Sequence, residues 1–158
     1  MIDKLVRWYD LAMTRGFDKL RSPLLLGLRL MFGWQLFETG KGKLENIDRF
    51  VGFLAHLHIP MPEANARFVA TLECVGGLLL LLGLAARLIA IPLTINFTVA
   101  YLTADHDAVV NFFKDQDAFT SAAPFLYLLV SLIIHAFGPG LFSLDEVIHR
   151  SFLRRRPA

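Results

Sequence analysis

Hydrophobic positions gather into four long stretches with short polar segments between them. Phe68 to Ala86 is interrupted only by Glu73. Its 19 residues would reach about 28 Å as a helix, the hydrocarbon thickness of a bilayer. Leu88 to Thr103 follows at once, broken only by Pro92 and uncharged polar residues. The two read as a helical hairpin turning near Leu84 to Arg87. Leu24 to Phe37 is a shorter stretch that can extend through Gly40 towards Leu44, and Ala122 to Phe137 carries Pro124 in its first turn, where proline is tolerated. Backbone groups in lipid must be satisfied within the segment, and alternation at period two is missing, so these are helices. The pattern predicts an all-α fold, a polytopic membrane four-helix bundle.

Two flanking segments are amphipathic. Ile2, Leu5, Tyr9, Ala12, Met13, Phe17 and Leu20 fall at helical spacing, as expected for a helix lying on a membrane surface. Leu44, Ile47, Phe50, Val51, Leu54 and Leu57 repeat the pattern between the first two spans, ahead of Pro60 and Pro62. The chain thus divides into a surface helix over 1–22, a transmembrane domain over 23–148 and a basic tail over 149–158. Residues 1–22 carry charges throughout and no small-residue cleavage site follows, so they do not read as a signal peptide.

Composition sharpens this picture. Of 158 residues, 55% are hydrophobic and 19% charged, against about a quarter charged in soluble domains. Mean hydropathy is +0.52. Disorder, collagen-like repeats and a disulfide scaffold are excluded, and a soluble bundle with deeply buried helices is the disfavoured alternative. A single cysteine, Cys74, forms no internal disulfide. A net charge of +2 is too small to point to nucleic acid. Ten Lys and Arg fall before the first span, after the last or at Arg87, against five in the other loops. Both termini are therefore expected on the cytoplasmic side.

Ionisable residues inside a span are costly and are candidate functional groups. At 100° per residue, Arg29, Gly33, Leu36, Gly40 and Lys43 share one line on the first span. Glu73, Gly77, Leu80, Leu84 and Arg87 do so on the second, with Gly76 beside them. Pro92, Asn96, Ala100, Thr103 and Asp107 share a line on the third, and Pro124, Tyr127, Ser131, His135 and Gly138 on the fourth. Small and polar faces let helices approach and hydrogen-bond, so the four stripes are expected to converge. Arg29 and Glu73 are expected to form a buried ion pair. They are the candidate catalytic residues; a purely structural role in fixing register is the alternative. The candidate ligand-binding residues are Trp34, Gly40, Lys43, Gly76, Gly77, Asn96, Tyr127 and His135, with Phe97 as a further wall. No metal site is expected. His135 has no histidine at helical spacing, and His56 and His58 point to different faces of a helix. Glu38 is expected to snorkel to water, and Cys74 to act as a small apolar residue.

Three motifs carry a resemblance. The string LLLGLRLMFGWQLFETGKGKL, with Arg29, Gly40, Lys43 and Leu44, resembles the opening helix of the DoxX family. IPMP followed by ECVGGLLLLLGLAARL, with Glu73, Gly76, Gly77 and Arg87, is similar to its second helix. GPGLFSLDEV, with Gly138, Pro139, Gly140, Ser143 and Asp145, resembles its ending. The resemblance spans Leu24 to Val147. One departure is Glu38-Thr39, where the family often has a histidine before the first glycine; another is the long amphipathic N-terminus. The resemblance implies a small four-helix protein of the bacterial inner membrane, a membrane subunit or accessory factor in quinone-linked redox metabolism. Its relatives include small subunits of thiosulfate:quinone oxidoreductase, a membrane partner of superoxide dismutase and a sulfurtransferase, and accessory proteins of amine dehydrogenase maturation. Quinone is the cofactor implied. Expected partners are the bilayer, a redox protein that supplies electrons and a second copy of the chain. The chain has no haem-binding motif, cysteine pair or dinucleotide fingerprint, so it is not expected to be an enzyme by itself. The alternatives are a non-catalytic anchor or assembly factor and, less favoured, a small carrier.

Overall fold

In a computed structural model, residues 17–153 are described, and their regular elements are all helices. In chain order these are α1 (Phe17–Glu45), α2 (Ile47–His56), α3 (Pro62–Leu82), α4 (Ala86–Thr103), α5 (His106–Val110), α6 (Gln116–Ser121), α7 (Pro124–Phe137) and α8 (Leu144–Leu153). Most of the expected surface helix over 1–22 lies outside the described residues. Its last part, Phe17 to Ser22, is continuous with the first long helix through Pro23. The basic tail from residue 154 also lies outside.

Two helices, α3 and α4, are long and apolar enough to cross a membrane; α7 is apolar but shorter. The first hairpin helix, α3, has clear reasons to start and stop where it does. Gly83, at φ 65°, ends α3: its N–H donates to Leu80 O and that of Leu84 to Leu79 O, a paired closure that the left-handed residue permits. Pro62 opens α3, where its missing N–H costs nothing.

Glycines set the register of α1 against α3. A Cβ on Gly40 would strike the Cys74 backbone and one on Gly77 the Phe37 backbone. At Gly33 it would stand 2.9 Å from Leu81 N. The two helices therefore run antiparallel with their backbones in close approach, as small residues allow. Gly33, Leu36 and Gly40 on α1 and Glu73, Gly77 and Leu80 on α3 are all buried, as their stripes predict.

On α4 the expected face is rotated. The most buried positions of α4 are Ala86, Ala90, Leu93, Phe97 and Tyr101, one residue round from the Asn96 line, which is half-buried. On α7 the expected Pro124 and Ser131 are buried, together with Val130 and Ile134, while His135 is exposed. The core between these helices is apolar and aromatic. Phe97 stacks on Tyr127 at 5.2 Å between ring centroids, and Phe32 meets Tyr127 edge-on at 5.9 Å. Large side chains bury more apolar area than a polar stripe can offer, so they take the interface. The outward faces carry exposed Leu30, Met31, Leu78, Leu88, Ile95, Leu129 and Leu132.

Candidate functional site

Among the described residues, the buried charged side chains Arg29 and Glu73 are held at two separate places, and they do not form the expected pair. The glycine register explains why. Gly40 lies beside Cys74, so Arg29, eleven residues earlier on α1, sits about 16 Å further along the axis. No arginine side chain spans that gap. Both residues do face inwards, at 1% and 3% exposure.

Glu73 is met by Lys43 instead. Lys43 Nζ lies 2.6 Å from Glu73 Oε2 and 2.7 Å from Oε1, and Asn96 Nδ2 donates to Oε1 at 3.3 Å. Lys43 comes from the last turn of α1, Glu73 from the middle of α3 and Asn96 from the middle of α4. The Lys43 ammonium also lies over the Phe50 ring, 4.8 Å from its centroid, which ties the cluster to α2 through a cation–π contact. Glu73 is buried while Lys43 is partly open. Two short contacts from Lys43 and one from Asn96 meet the hydrogen-bonding capacity of this buried carboxyl group.

The cluster lines one side of a cavity of about 470 Å³. The other walls are mostly apolar: Phe50, Phe53 and Leu54 from α2 with Leu57 just past its end, Val69 from α3, and Val99 and Ala100 from α4. A few convergent polar groups in an apolar hollow of this size form a typical small-molecule site. Here α2 is the roof. It begins after Asn46 and returns to α3 through His58 and Met61, both at positive φ, with Asn65 Nδ2 holding Pro60 O at 2.6 Å.

Arg29 organises the opposite end. Its Nη1 donates to Pro139 O at 2.7 Å and its Nη2 to Phe142 O at 2.8 Å. Gly83 closes against this guanidinium, and a Cβ there would strike Nη1. Asp145 then accepts from Ala85 N at 2.7 Å and Ala86 N at 3.0 Å, capping α4 from α8. The three sequence motifs thus meet, but as a fastening of the chain's ends to the α3–α4 turn.

The remaining candidates divide between these places. Gly40 and Gly77 are helix-contact positions, and Gly76 faces the Leu93 side chain. Tyr127 belongs to the aromatic core. Trp34, 54% exposed, points outwards and stacks at a tilt on Phe37, so it does not wall the cavity. His135 is exposed, with Nδ1 3.5 Å from Arg87 O. Glu38 is exposed and Cys74 half-buried. Among the described residues no group of three or more His, Cys, Asp or Glu could hold a metal ion. Sequence reasoning missed the pairing of Lys43 with Glu73, although it had put Lys43 on the right face. It also missed the part of Phe50 and Leu54 in the cavity; their position on the inner face of an amphipathic helix was the available signal.

Comparison with known proteins gives a family and two relatives. The DoxX family profile matches residues 24–106, which includes Lys43, Glu73 and Asn96 and ends before the Gly138–Asp145 motif. An uncharacterized protein of Haemophilus influenzae is 26% identical over 132 residues, 81% of this chain and 85% of the relative. A Bacillus subtilis protein named "Putative oxidoreductase CatD" is 28% identical over 125 residues, 78% of this chain and 85% of the relative. No solved structure matches the chain.

Proposed function

This chain belongs to the DoxX family, and from that premise we propose that it is a multi-pass four-helix protein of the bacterial cytoplasmic membrane. In this reading both termini face the cytoplasm, and it serves as a membrane subunit or accessory factor in quinone-linked redox metabolism. The observation that carries the reading is the Lys43–Glu73–Asn96 cluster at the edge of an apolar cavity. A quinone ring needs hydrogen-bond donors for its carbonyl oxygens and apolar walls for its ring and tail. Lys43 Nζ and Asn96 Nδ2 are the donors. Glu73 is the group able to pass protons, since reduction to quinol takes up two electrons and two protons. The electrons come from a partner redox protein. The name of the Bacillus relative, an oxidoreductase, agrees with this class of work. We give Arg29 a structural part in this reading, because both of its Nη atoms hold backbone carbonyls of the Gly138–Phe142 loop, away from the Glu73 cavity.

The test is photolabelling of the full chain in lipid nanodiscs with an azidoquinone. Label is expected on peptides holding Phe50 to Leu57, Val69 and Val99. Lys43→Met and Glu73→Gln should each cut it several-fold, as loss of a charged hydrogen bond does. Labelling spread evenly over the outward faces, unchanged by either substitution, would sink the proposal. A non-catalytic anchor or assembly factor is the second reading. It is favoured by one fact: Lys43 and Asn96 already satisfy Glu73 within the protein.

A further inference from the structure

The end of the molecule fastened by Arg29 carries a second hollow, distinct from the Glu73 cavity. It measures about 600 Å³ and lies among Arg21, Arg87, His149 and the Gly138–Leu141 loop. Arg21 is fixed at its rim: Nη2 donates to Phe137 O at 2.6 Å, and the guanidinium lies 5.3 Å from the Phe137 ring centroid. Arg87 packs against Gly138, where a Cβ would stand 2.9 Å from its Nε. Among the described residues, neither arginine pairs with a carboxylate. The two acids that line the hollow are already engaged. Asp145 accepts the Ala85 and Ala86 amides, and Glu146 holds Arg150 at 2.8 Å. The buried Arg29 adds a further positive charge to the same loop, and its Nε has no partner. The hollow therefore holds two guanidinium groups, Arg21 and Arg87, that pair with neither of the carboxylates beside them and keep donors free for an incoming anion. Exposed Leu20, Leu24, Leu88 and Leu141 belong to the same end, so apolar surface accompanies the charge.

We propose that this basin binds a phosphate group, that of an anionic phospholipid at the membrane interface. Basic pockets between membrane helices suit such headgroups, and arginine meets phosphate oxygens in pairs. The proposal rests on the membrane reading but not on the quinone reading. The test is native mass spectrometry of the full chain released from nanodiscs of mixed phosphatidylglycerol and phosphatidylcholine. The wild type is expected to retain phosphatidylglycerol in preference by roughly tenfold, and Arg21→Gln/Arg87→Gln to lose that preference. Displacement of the lipid by millimolar inorganic phosphate assigns the basin to the phosphate group alone. Resistance to displacement assigns it to the headgroup with its acyl chains. Equal retention of both lipids by the wild type, or an unchanged preference in the double variant, overturns the site. Carbonate extraction of both proteins reads membrane insertion separately, so failure of the site is distinguishable from failure of the membrane reading.

Discussion

Lys43 and Glu73 illustrate how a single pairing decides the chemistry of an interior. A carboxylate at 3% exposure is tolerable only with its cation in place. Lys43→Met should therefore destabilise the protein by about 3–5 kcal/mol, read from unfolding in mixed detergent micelles. Adding Glu73→Gln to that variant should recover most of the loss, because no unpaired charge then remains buried. A double variant as unstable as Lys43→Met would show that packing, not charge, sets the cost. Gly77 makes a second residue-scale case. Gly77→Leu has no room against the Phe37 backbone and should cost about 1–3 kcal/mol or more, whereas Gly27→Ala, with nothing within 4 Å of its Cβ, should be tolerated in the same assay. Arg29, Glu73, Gly40 and Gly77 were legible as inward-facing from the period of the helix alone. Which of them touch was not, because a stripe gives an angle about the axis and says nothing of the sliding of one helix along another.

The joints between elements hold the second level of organisation. Asp145 links α8 to the first amides of α4, and Asp145→Ala should cost about 1–2 kcal/mol, the worth of a helix cap. Amide hydrogen exchange at Ala85 and Ala86 should quicken in that variant while the middle of α3 stays protected. Uniform quickening would mean that the joint is not local. Helix existence along 24–44, 68–86, 88–103 and 122–137 was readable from apolar run length, and each stretch falls largely within one observed helix. The bounds moved for local reasons. Gly83 ends α3 four residues before the expected limit, and α1 continues through Pro23 towards residue 17. The burial face of α4 lies about one position round from the expected line, because Phe97 and Tyr101 outcompete polar neighbours for the interface; on α7, Pro124 and Ser131 are buried as expected and His135 is not.

At the scale of the whole molecule, two polar clusters lie at different depths, one under α2 and one beneath the chain's ends. This separation gives the proposed topology a direct test. In a Cys74→Ser background, Asn111→Cys should react with an impermeant maleimide on intact cells, and His149→Cys only once the cytoplasmic face is opened. The reverse pattern would place the basic ends outside and overturn the assignment made from Lys and Arg counts. The amino-acid order by itself determined that the described chain is helical, that two of its helices can cross a bilayer, and that Arg29 and Glu73 turn inwards. These follow from local quantities: run length, helical period and the cost of exposing charge to lipid. Only the tertiary structure decided that Glu73 belongs to Lys43 and that Arg29 belongs to the Gly138–Phe142 loop. Such pairings depend on axial register, which close backbone contacts at Gly33, Gly40 and Gly77 fix between segments more than 30 residues apart, beyond the reach of any local pattern.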